Sequence, residues 1–205
     1  MTLPPFYPIV SSATAAEILL DAGARILQYR NKGFFSKAAF EEASRIAGLC
    51  RRAGALFVVN DRADVARLLN AAVHLGQDDL APADARKVVP SSAIIGFSTH
   101  NEEQLRAGDL EPVDYLAIGP IFATASKVNP DPVVGLDRLR ALRSLTKKPL
   151  VAIGGITRDS VAQVFAAGVD SVAVIGDLHP PDGDPASLRA RAQEWLRVCR
   201  DCAQC

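Results

Sequence analysis

Short apolar runs alternate with longer amphipathic stretches along the whole 205-residue chain. A buried strand is typically a short β-branched run, whereas a helix packed on a sheet repeats its apolar residues every three to four positions. The clearest helical patterns cover 37–53 and about 158–167, the second ending at Gly168. Eight strands are predicted, each followed by a helix, at 6–10, 25–30, 56–60, 73–75, 94–97, 115–118, 150–153 and 171–175.

Eight βα repeats in roughly 200 residues predict a (β/α)8 TIM barrel that occupies 1–205 as a single domain. An open, doubly wound sheet is the alternative, but no Gly-x-Gly-x-x-Gly or Walker A sequence supports it. One predicted connection is long, from Gly119 to Gly135, and loops of this length in a small domain are usually lids or binding loops. We therefore expect a functional loop after the sixth strand.

Charge and hydropathy exclude several kinds of partner. Lys plus Arg equals Asp plus Glu at 23 each, so no overall field would draw the chain to nucleic acid or to an anionic membrane. No apolar run approaches the roughly 20 residues of a membrane span, and the first residues lack the features of a signal peptide. We expect a cytoplasmic protein that binds small molecules. A homodimer is possible, although no sequence feature demonstrates it.

The four cysteines do not suggest a disulfide framework. Cys50 lies in a predicted helix, whereas Cys199, Cys202 and Cys205 lie near the C-terminus. The spacing of these last three resembles part of a metal site, but the tail contains no fourth ligand. A frayed helix end over 199–205 is the favoured interpretation.

Gln28, Arg30 and Lys32 occupy alternate positions at the end of the second predicted strand, so their side chains should converge on one side. An amide and two cations suit a multiply charged anion, since Arg offers a planar fork and Lys a movable point charge. A hydrated strand end would explain the same three residues without a ligand. Because barrel chemistry is located at the carboxyl ends of the strands, the residues at the other strand ends must decide between an anion site and a hydrated strand end.

Carboxylates follow the third and fourth predicted strands. Asp61 and Asp79 lie at neighbouring strand exits and could share one Mg²⁺. The alternative is that Asp61 caps the third helix and that Asp79 or its neighbour opens the fourth. Together with Arg30, Lys32 and Lys127, the two carboxylates favour a metal and diphosphate site.

Gly154 and Gly155 follow the seventh predicted strand and would let a ligand approach the backbone closely. The next helix would add unpaired N–H groups and the positive end of its dipole, which together suit a phosphate. Barrels commonly bind phosphate after their seventh and eighth strands. A tight turn with positive φ would explain the same two glycines without a ligand.

The histidines and hydroxyls of the central strands give weaker signals. His74 lies among apolar neighbours, so we expect it to be packed or hydrogen-bonded rather than a base. His100 is expected to begin the fifth helix, and Ser98 and Thr99 either cap that helix or donate to a phosphate. Since no nucleophile and base arrangement is identifiable, the predicted chemistry is ionic, with a metal and cations stabilising a leaving diphosphate.

These segments occur in the order found in thiamine phosphate synthases, and the chain resembles that family of (β/α)8 enzymes. The matching motifs are Gln28-x-Arg30-x-Lys32, Asn60-Asp61-Arg62, His74-Leu75-Gly76-Gln77-Asp78-Asp79, Gly96-x-Ser98-Thr99-His100, Gly119-Pro120-Ile121-Phe122-x-Thr124-x-Ser126-Lys127, Gly135-Leu136 and Ala152-Ile153-Gly154-Gly155-Ile156. The resemblance implies Mg²⁺-dependent transfer of the hydroxymethylpyrimidine group from its diphosphate to 4-methyl-5-(2-phosphoethyl)thiazole, with release of pyrophosphate. It also implies a dissociative mechanism that needs no protein nucleophile.

The resemblance further implies a role for individual residues. Mg²⁺ would be bound by Asp61 and Asp79. The diphosphate would be held by Gln28, Arg30, Lys32, Asn60 and Lys127, and Ser98 would contact the pyrimidine or the leaving group. The thiazole phosphate would be held by Thr124, Ser126, Gly155 and the backbone around Ile175 and Gly176. The residues expected to be catalytic are Arg30, Lys32, Ser98 and Lys127.

Three departures from the family pattern carry their own expectations. Gly176 stands where the family usually has Ser, which removes one hydroxyl from the phosphate site. The segment 70–73 is one residue shorter than the usual Gly-Ala-Asp-Gly-Val, which would shift 74–79. The first βα unit is short, which predicts a curtailed or irregular first helix.

Two alternatives to the synthase remain. A related thiazole tautomerase would use a His after the sixth-strand Gly, but this position is Pro120 here. A non-catalytic phosphate-binding barrel is favoured only by Gly176.

Overall fold

A computed structural model of the chain describes residues 1–31, 33–124 and 131–203. Its eight parallel strands form a closed barrel in which neighbours in sequence are also neighbours in the sheet, and β8 pairs with β1. The strands are β1 Phe6–Val10, β2 Ile26–Tyr29, β3 Leu56–Asn60, β4 Ala72–Leu75, β5 Ile95–Thr99, β6 Tyr115–Ile118, β7 Leu150–Ile153 and β8 Ser171–Val174. The predicted (β/α)8 barrel is therefore confirmed.

A helix follows each strand and covers the outside of the sheet. The helices are α1 Ala13–Ala22, α2 Lys37–Ala53, α3 Ala63–Leu69, α4 Pro82–Val88, α5 Glu102–Leu110, α6 Leu136–Arg143, α7 Val161–Phe165 and α8 Pro185–Ala203. Within the described residues, none of them is long and apolar enough to cross a membrane. The predicted bounds of α2 are confirmed, as are those of β1, β3, β6 and β7.

The first helix is regular, so the prediction of a curtailed or irregular α1 is wrong. The hydroxyl of Ser12 caps its N-terminus by accepting from the backbone N–H of Ala15, and Gly23 ends it with a φ of 116°. The first βα unit is short because its connections are short. Only residues 11–12 separate β1 from α1, and only residues 23–25 separate α1 from β2.

The seventh helix is shorter than the predicted 158–167. Its N-terminal part is replaced by a turn in which the Ser160 hydroxyl accepts from the backbone N–H of Thr157. At the other end, the N–H groups of Ala167 and Gly168 bond to carbonyls three residues back, which closes the helix tightly.

Alternation along the strands divides the apolar residues between two cores. On β2, Leu27 faces the core between sheet and helices, whereas Ile26 faces the barrel interior. The interior core also contains Tyr7 and Tyr115, two large side chains that are almost fully buried. The barrel interior is therefore filled rather than hollow.

The C-terminal helix shows that the interpretation of a frayed end is wrong for 199–203. α8 continues through Ala203, and Cys199 is fully buried. The buried residues of α8 recur every three to four positions, at Leu188, Ala192, Trp195 and Cys199, and this stripe fixes the helix on the barrel. Cys205 lies outside the described residues.

Candidate active site

Four polar side chains come from the carboxyl ends of β2, β3 and β4. They are Arg30, Asn60, Asp61 and Asp79. Asn60 pairs with His74 in the register of β3 and β4, and the backbone N–H of Asp61 donates to the His74 carbonyl across 2.8 Å. The two strand exits are therefore side by side, as the sequence predicts for Asp61 and Asp79.

The two carboxylates lie close enough to interact directly. Burial, a hydrogen bond with Asp79 and the charge of Asp79 together raise the pKa of Asp61 to about 7. The charge of Arg30 and a hydrogen bond with Asn60 act on Asp61 in the opposite direction but are weaker. The mouth of the barrel thus holds a carboxylate pair next to an arginine.

The backbone explains how each carboxylate is aimed. Asp61 has a φ of 66°, a left-handed conformation that turns the chain sharply after β3. Asp79 accepts from the backbone N–H of Gly76 across 2.6 Å, which closes the loop after β4. Neither carboxylate caps a helix, because α3 is preceded by Arg62 and α4 by Ala81, each without a side-chain cap. The N-capping alternative is therefore wrong for Asp61 and Asp79.

The donor set of Asp61 and Asp79 fits a hard divalent cation. Two like charges in contact disfavour each other, and a cation between them would remove that repulsion. Mg²⁺ commonly takes one or two protein carboxylates and completes its octahedron with water and phosphate oxygens. No group of three or more His, Cys, Asp or Glu ligands occurs in the part of the chain that the structure describes. The site thus suits a partly hydrated ion that also binds a substrate.

Three of the predicted phosphate-binding residues lie outside the described residues. They are Lys32 and Lys127, predicted for the diphosphate, and Ser126, predicted for the thiazole phosphate, and their roles stay predictions. Arg30 is half-buried, and its backbone N–H donates to the Val10 carbonyl across 2.8 Å. Of the expected cations, Arg30 is the one located at the mouth by the described structure.

Gln28 lies deeper than the sequence suggested. Its side chain is only 3% exposed, and its amide nitrogen donates to the Tyr7 hydroxyl across 3.0 Å. Alternate strand positions share a side, but a rise of about 3.3 Å per residue puts Gln28 roughly 7 Å below Arg30. The amide nitrogen of Gln28 is therefore directed into the barrel and not at a ligand bound beside Arg30.

A polar network fills the upper part of the barrel interior. The hydroxyls of Tyr7 and Tyr115 are 2.9 Å apart, and the Tyr115 hydroxyl is 2.9 Å from Nδ1 of His74. The other ring nitrogen, Nε2, is 2.8 Å from Oγ of Ser98. Burial lowers the pKa of His74 to about 4, so the ring is neutral at pH 7. The prediction of a packed, hydrogen-bonded His74 is confirmed.

Sequence reasoning missed the two tyrosines of this network. A buried Tyr hydroxyl normally has a partner, and Tyr7 and Tyr115 stand at interior-facing positions of β1 and β6. Gly96 gives a further signal, because a Cβ at this position would overlap the Tyr115 ring. The glycine two residues before Ser98 thus makes room for a bulky ring that crosses the barrel.

The end of β5 differs from the prediction. The strand continues through Thr99, whose hydroxyl donates to the Ala117 carbonyl across 2.8 Å. Asn101 caps α5, its side chain accepting from the backbone N–H of Gln104. His100 therefore does not begin the helix; its Nδ1 lies 2.6 Å from the Gly119 carbonyl oxygen. Neither Ser98 nor Thr99 is a helix cap.

Gly154 and Gly155 are required by the packing of the loop after β6. Their φ values are 98° and 65°, and a Cβ would lie 2.6 Å from Pro120 or 2.5 Å from the Ala123 carbonyl oxygen. The expected helix N-terminus is absent beside them, since α7 begins only at Val161. Any phosphate here would therefore be bound by loop backbone and side chains.

The predicted thiazole phosphate residues share the β6–β8 side of the mouth. Thr124 follows Ala123 and is half-buried, so it lies near Gly155. Ile175 and Gly176 follow β8, which is paired with β7. This group lies across the barrel mouth from Asp61 and Asp79.

These features define a (β/α)8-barrel enzyme with a carboxylate and arginine site at the carboxyl ends of its strands. The family model described as thiamine monophosphate synthase matches residues 7–178. The chain therefore belongs to the thiamine monophosphate synthase family.

Individual relatives agree with this assignment. The chain is 52% identical to a thiamine-phosphate synthase of Koribacter versatilis over 197 residues, covering 94% of this chain and 90% of that protein. It is 39% identical to a thiamine-phosphate synthase of Chloroflexus aurantiacus, covering 87% and 83% of the two chains. The solved thiamine phosphate pyrophosphorylase from Pyrococcus furiosus has a TM-score of 0.86 and 30% identity, covering 97% of this chain and 96% of its own.

Proposed function

We propose that the chain is a thiamine-phosphate synthase that uses Mg²⁺ bound by Asp61 and Asp79. It would transfer the hydroxymethylpyrimidine group from its diphosphate to 4-methyl-5-(2-phosphoethyl)thiazole, forming thiamine phosphate and releasing pyrophosphate. The observation that carries the proposal is the contact between two carboxylates beside Arg30, at the active end of a barrel of this family.

The Asp61 and Asp79 carboxylates would hold the metal. Mg²⁺ bound there would neutralise part of the diphosphate charge and so improve pyrophosphate as a leaving group. Arg30, beside Asp61, would stabilise the same charge as it develops. Lys32 and Lys127 are proposed to add to this effect.

The bond changes proposed for the reaction need no protein nucleophile. The bond between the pyrimidine methylene carbon and the diphosphate oxygen breaks, and its electron pair leaves with pyrophosphate. The electron-rich aminopyrimidine stabilises the resulting methylene cation until the thiazole nitrogen donates its lone pair and forms the new C–N bond. Charge stabilisation and positioning are therefore the main contributions of the protein.

The two phosphorylated substrates would bind on opposite sides of the mouth. The diphosphate side is formed by β2, β3 and β4, whereas Thr124, Gly155, Ile175 and Gly176 lie at the ends of β6, β7 and β8. Ser98, at the end of the intervening β5, would contact the pyrimidine or the leaving group. This arrangement would direct the thiazole nitrogen across the barrel axis toward the methylene carbon.

The test is incubation of the full chain with both phosphorylated substrates and Mg²⁺, measuring thiamine phosphate and pyrophosphate. We expect equal amounts of the two products, no turnover in EDTA, and a loss of about 100-fold in Asp61→Asn and Asp79→Asn. Asp78→Asn is the matched control, because Asp78 is the exposed neighbour of Asp79 and should keep full activity. A wild-type chain that forms no more product than Asp61→Asn would refute the synthase.

The tautomerase alternative is checked in the same assay. Pro120 has no ionisable side chain at the position where that enzyme would need a His. We therefore expect the thiazole phosphate alone to remain unchanged, with conversion only when the pyrimidine diphosphate is added.

A further inference from the structure

Five polar side chains form a continuous chain of hydrogen bonds across the barrel interior, from β2 to β5. Its members are Gln28, Tyr7, Tyr115, His74 and Ser98, joined by contacts of 2.8 to 3.0 Å. The first four are at most 8% exposed. Of this interior chain, only Ser98 has a role in the reaction proposed above, so the other four side chains need a separate explanation.

The hydrogen bonds of the interior chain have a direction. Buried O–H and N–H groups need acceptors, since an unpaired one is strongly unfavourable. Because the Gln28 amide donates to Tyr7, the acceptor within reach of the Tyr7 O–H is the Tyr115 oxygen. Reversing the order would leave the Tyr7 hydrogen without an acceptor among these partners, at a position that is 1% exposed.

The direction fixes the tautomer of His74. Once Tyr115 accepts from Tyr7, it donates its own hydrogen to Nδ1 of His74. A neutral imidazole carries one hydrogen, which must then be on Nε2 and is donated to Oγ of Ser98. The Ser98 oxygen thereby accepts from inside the barrel, and its own hydrogen is left to point elsewhere.

We infer that the interior chain presets Ser98 as a hydrogen-bond donor to the substrate and that His74 is a positioning residue acting through Ser98. A donor suits a pyrimidine ring nitrogen or a diphosphate oxygen, both of which are acceptors. In the opposite order Ser98 would donate to His74 and could only accept from the substrate. The substrate part of this inference rests on the proposed function, whereas the tautomer does not.

The tautomer can be measured without any substrate. The chain has three histidines, so ¹⁵N-histidine labelling and long-range ¹H–¹⁵N spectra give three imidazole patterns, and His74→Gln identifies the one from His74. At neutral pH we expect His74 to carry its hydrogen on Nε2 with Nδ1 bare. A hydrogen on Nδ1, or on both nitrogens, would overturn the inference.

Kinetics test whether His74 acts through Ser98. We expect His74→Phe to lower kcat/KM by about 10-fold, and His74→Gln, whose amide NH₂ can still donate to Ser98, to stay within about threefold of wild type. In Ser98→Ala the further change His74→Phe should have no additional effect. Effects that multiply in the double variant would show that His74 does not act through Ser98.

Thr99→Val is the matched control for these variants. It removes a buried hydroxyl from the residue next to Ser98, but that hydroxyl donates to the Ala117 carbonyl and lies outside the interior chain. Its kcat/KM should be unchanged, and a loss equal to that of His74→Phe would refute the inference.

The two proposals can fail separately. If His74 carries its hydrogen on Nε2 but the protein has no synthase activity, the proposed function is refuted and the direction of the interior chain is supported. Synthase activity in a protein whose His74 carries its hydrogen on Nδ1 would support the proposed function and refute the direction of the interior chain. Because the tautomer is read on the wild-type protein, the test does not depend on whether His74→Phe folds.

Discussion

Asp61 combines two unfavourable features in one residue. Its φ of 66° is a conformation that Asp and Asn adopt more readily than other side chains, and its carboxylate contacts that of Asp79. Both features aim negative charge at one point above β3 and β4. For the same reason, Asn is the appropriate replacement, since Ala at this φ would add strain unrelated to the metal.

The Asp61 and Asp79 pair should make the stability of the metal-free protein depend on pH. Burial and, to a smaller extent, the contact with Asp79 raise the pKa of Asp61 from 3.8 to about 7, so the folded chain holds a proton more tightly than the unfolded chain between these values. The resulting stabilisation is complete below about pH 4 and is lost as the pH rises through 7. In EDTA, we therefore expect the Tm of wild type to fall relative to Asp61→Asn over this range.

Thermal unfolding of both proteins from pH 4 to 8 measures this difference. Mg²⁺ should raise the wild-type Tm at pH 8 and leave that of Asp61→Asn nearly unchanged, since the ion offsets the repulsion only where both carboxylates are present. Parallel curves in EDTA would contradict the raised pKa of Asp61, and an equal effect of Mg²⁺ on both proteins would contradict a shared metal site.

The sequence predicts only some of the contacts between the side chains of the candidate site. Asp61 and Asp79 follow consecutive strands of a parallel barrel, so their proximity follows from topology alone. The depth of Gln28 in the barrel cannot be predicted in this way. Alternation along a strand shows which side of the sheet a side chain is on, but not which layer of the barrel interior contains its hydrogen-bond partner. Its partner, the Tyr7 hydroxyl, comes from a strand 21 residues earlier in the chain.

At the scale of elements, the loop after β6 is held against β7 at several points. Ile121 and Phe122 donate from their backbone N–H groups to the carbonyls of Ile153 and Gly154, at 2.9 and 3.0 Å. Farther along the loop, Val134 donates back to the Pro120 carbonyl. The two ends of the long connection are thus fixed to the barrel beside the predicted thiazole phosphate site.

Gly155→Ala should separate the β6 loop from β7. The new Cβ would lie 2.5 Å from the Ala123 carbonyl oxygen, a contact that requires the backbone to move. Gly183→Ala is the matched control, because Gly183 has a similar φ of 69° against 65° but no heavy atom within 4 Å of its Cβ position. We expect about 1 kcal/mol of destabilisation in Gly183→Ala from backbone strain alone, and at least about 2 kcal/mol in Gly155→Ala.

Urea unfolding gives both free energies, and the synthase assay gives the KM for the thiazole phosphate. Gly155→Ala should raise that KM, whereas Gly183→Ala should not. Equal destabilisation by the two substitutions would show that the loop does not pack on Gly155 as described.

The end of β5 was predicted wrongly because several residues there could cap the next helix. Ser98 and Thr99 are common N-cap residues, but Asn101 caps α5 and leaves them in β5. The pairing of β5 with β6 decides which residue caps α5, because it keeps Thr99 in the strand, opposite Ile118. The α2 bounds were predictable because Ser36 and Gly54 offer a cap at each end without a competitor.

At the scale of the whole molecule, the polar interior of the barrel should limit stability in acid. Burial lowers the pKa of His74 from 6.5 to about 4. Between these pH values the unfolded chain binds a proton at His74, whereas the folded chain mostly does not. The contribution of a neutral His74 is therefore complete above pH 6.5 and weakens as the pH falls. Between pH 7.5 and pH 5 the expected loss is about 2 kcal/mol.

The measurement is urea unfolding of wild type and His74→Gln at both pH values. Asp61 changes the free energy of unfolding with the opposite sign over the same pH range. Because Asp61 is present in both proteins, its contribution cancels in the difference between them. Wild type should lose about 2 kcal/mol more than His74→Gln on going to pH 5. The same loss in both proteins would contradict a buried, neutral His74.

The overall barrel was the most predictable property, because eight repeats of one pattern support each other. A single misplaced strand end, such as that of β5, changes nothing in the count of units. The two-layer core follows from the same alternation, whereas the tyrosines that cross it do not, since an aromatic residue on a strand fits either face.

The single tryptophan supplies a built-in optical reporter of barrel closure. Trp195 of α8 is fully buried, stacks on Phe6 of β1 with ring centroids 5.8 Å apart, and donates to the Asp177 carboxylate after β8. Its fluorescence therefore senses the seam where the last strand meets the first. Each unfolding experiment above can be followed by this emission without a label, and an early spectral change would identify the seam as the place where the barrel opens.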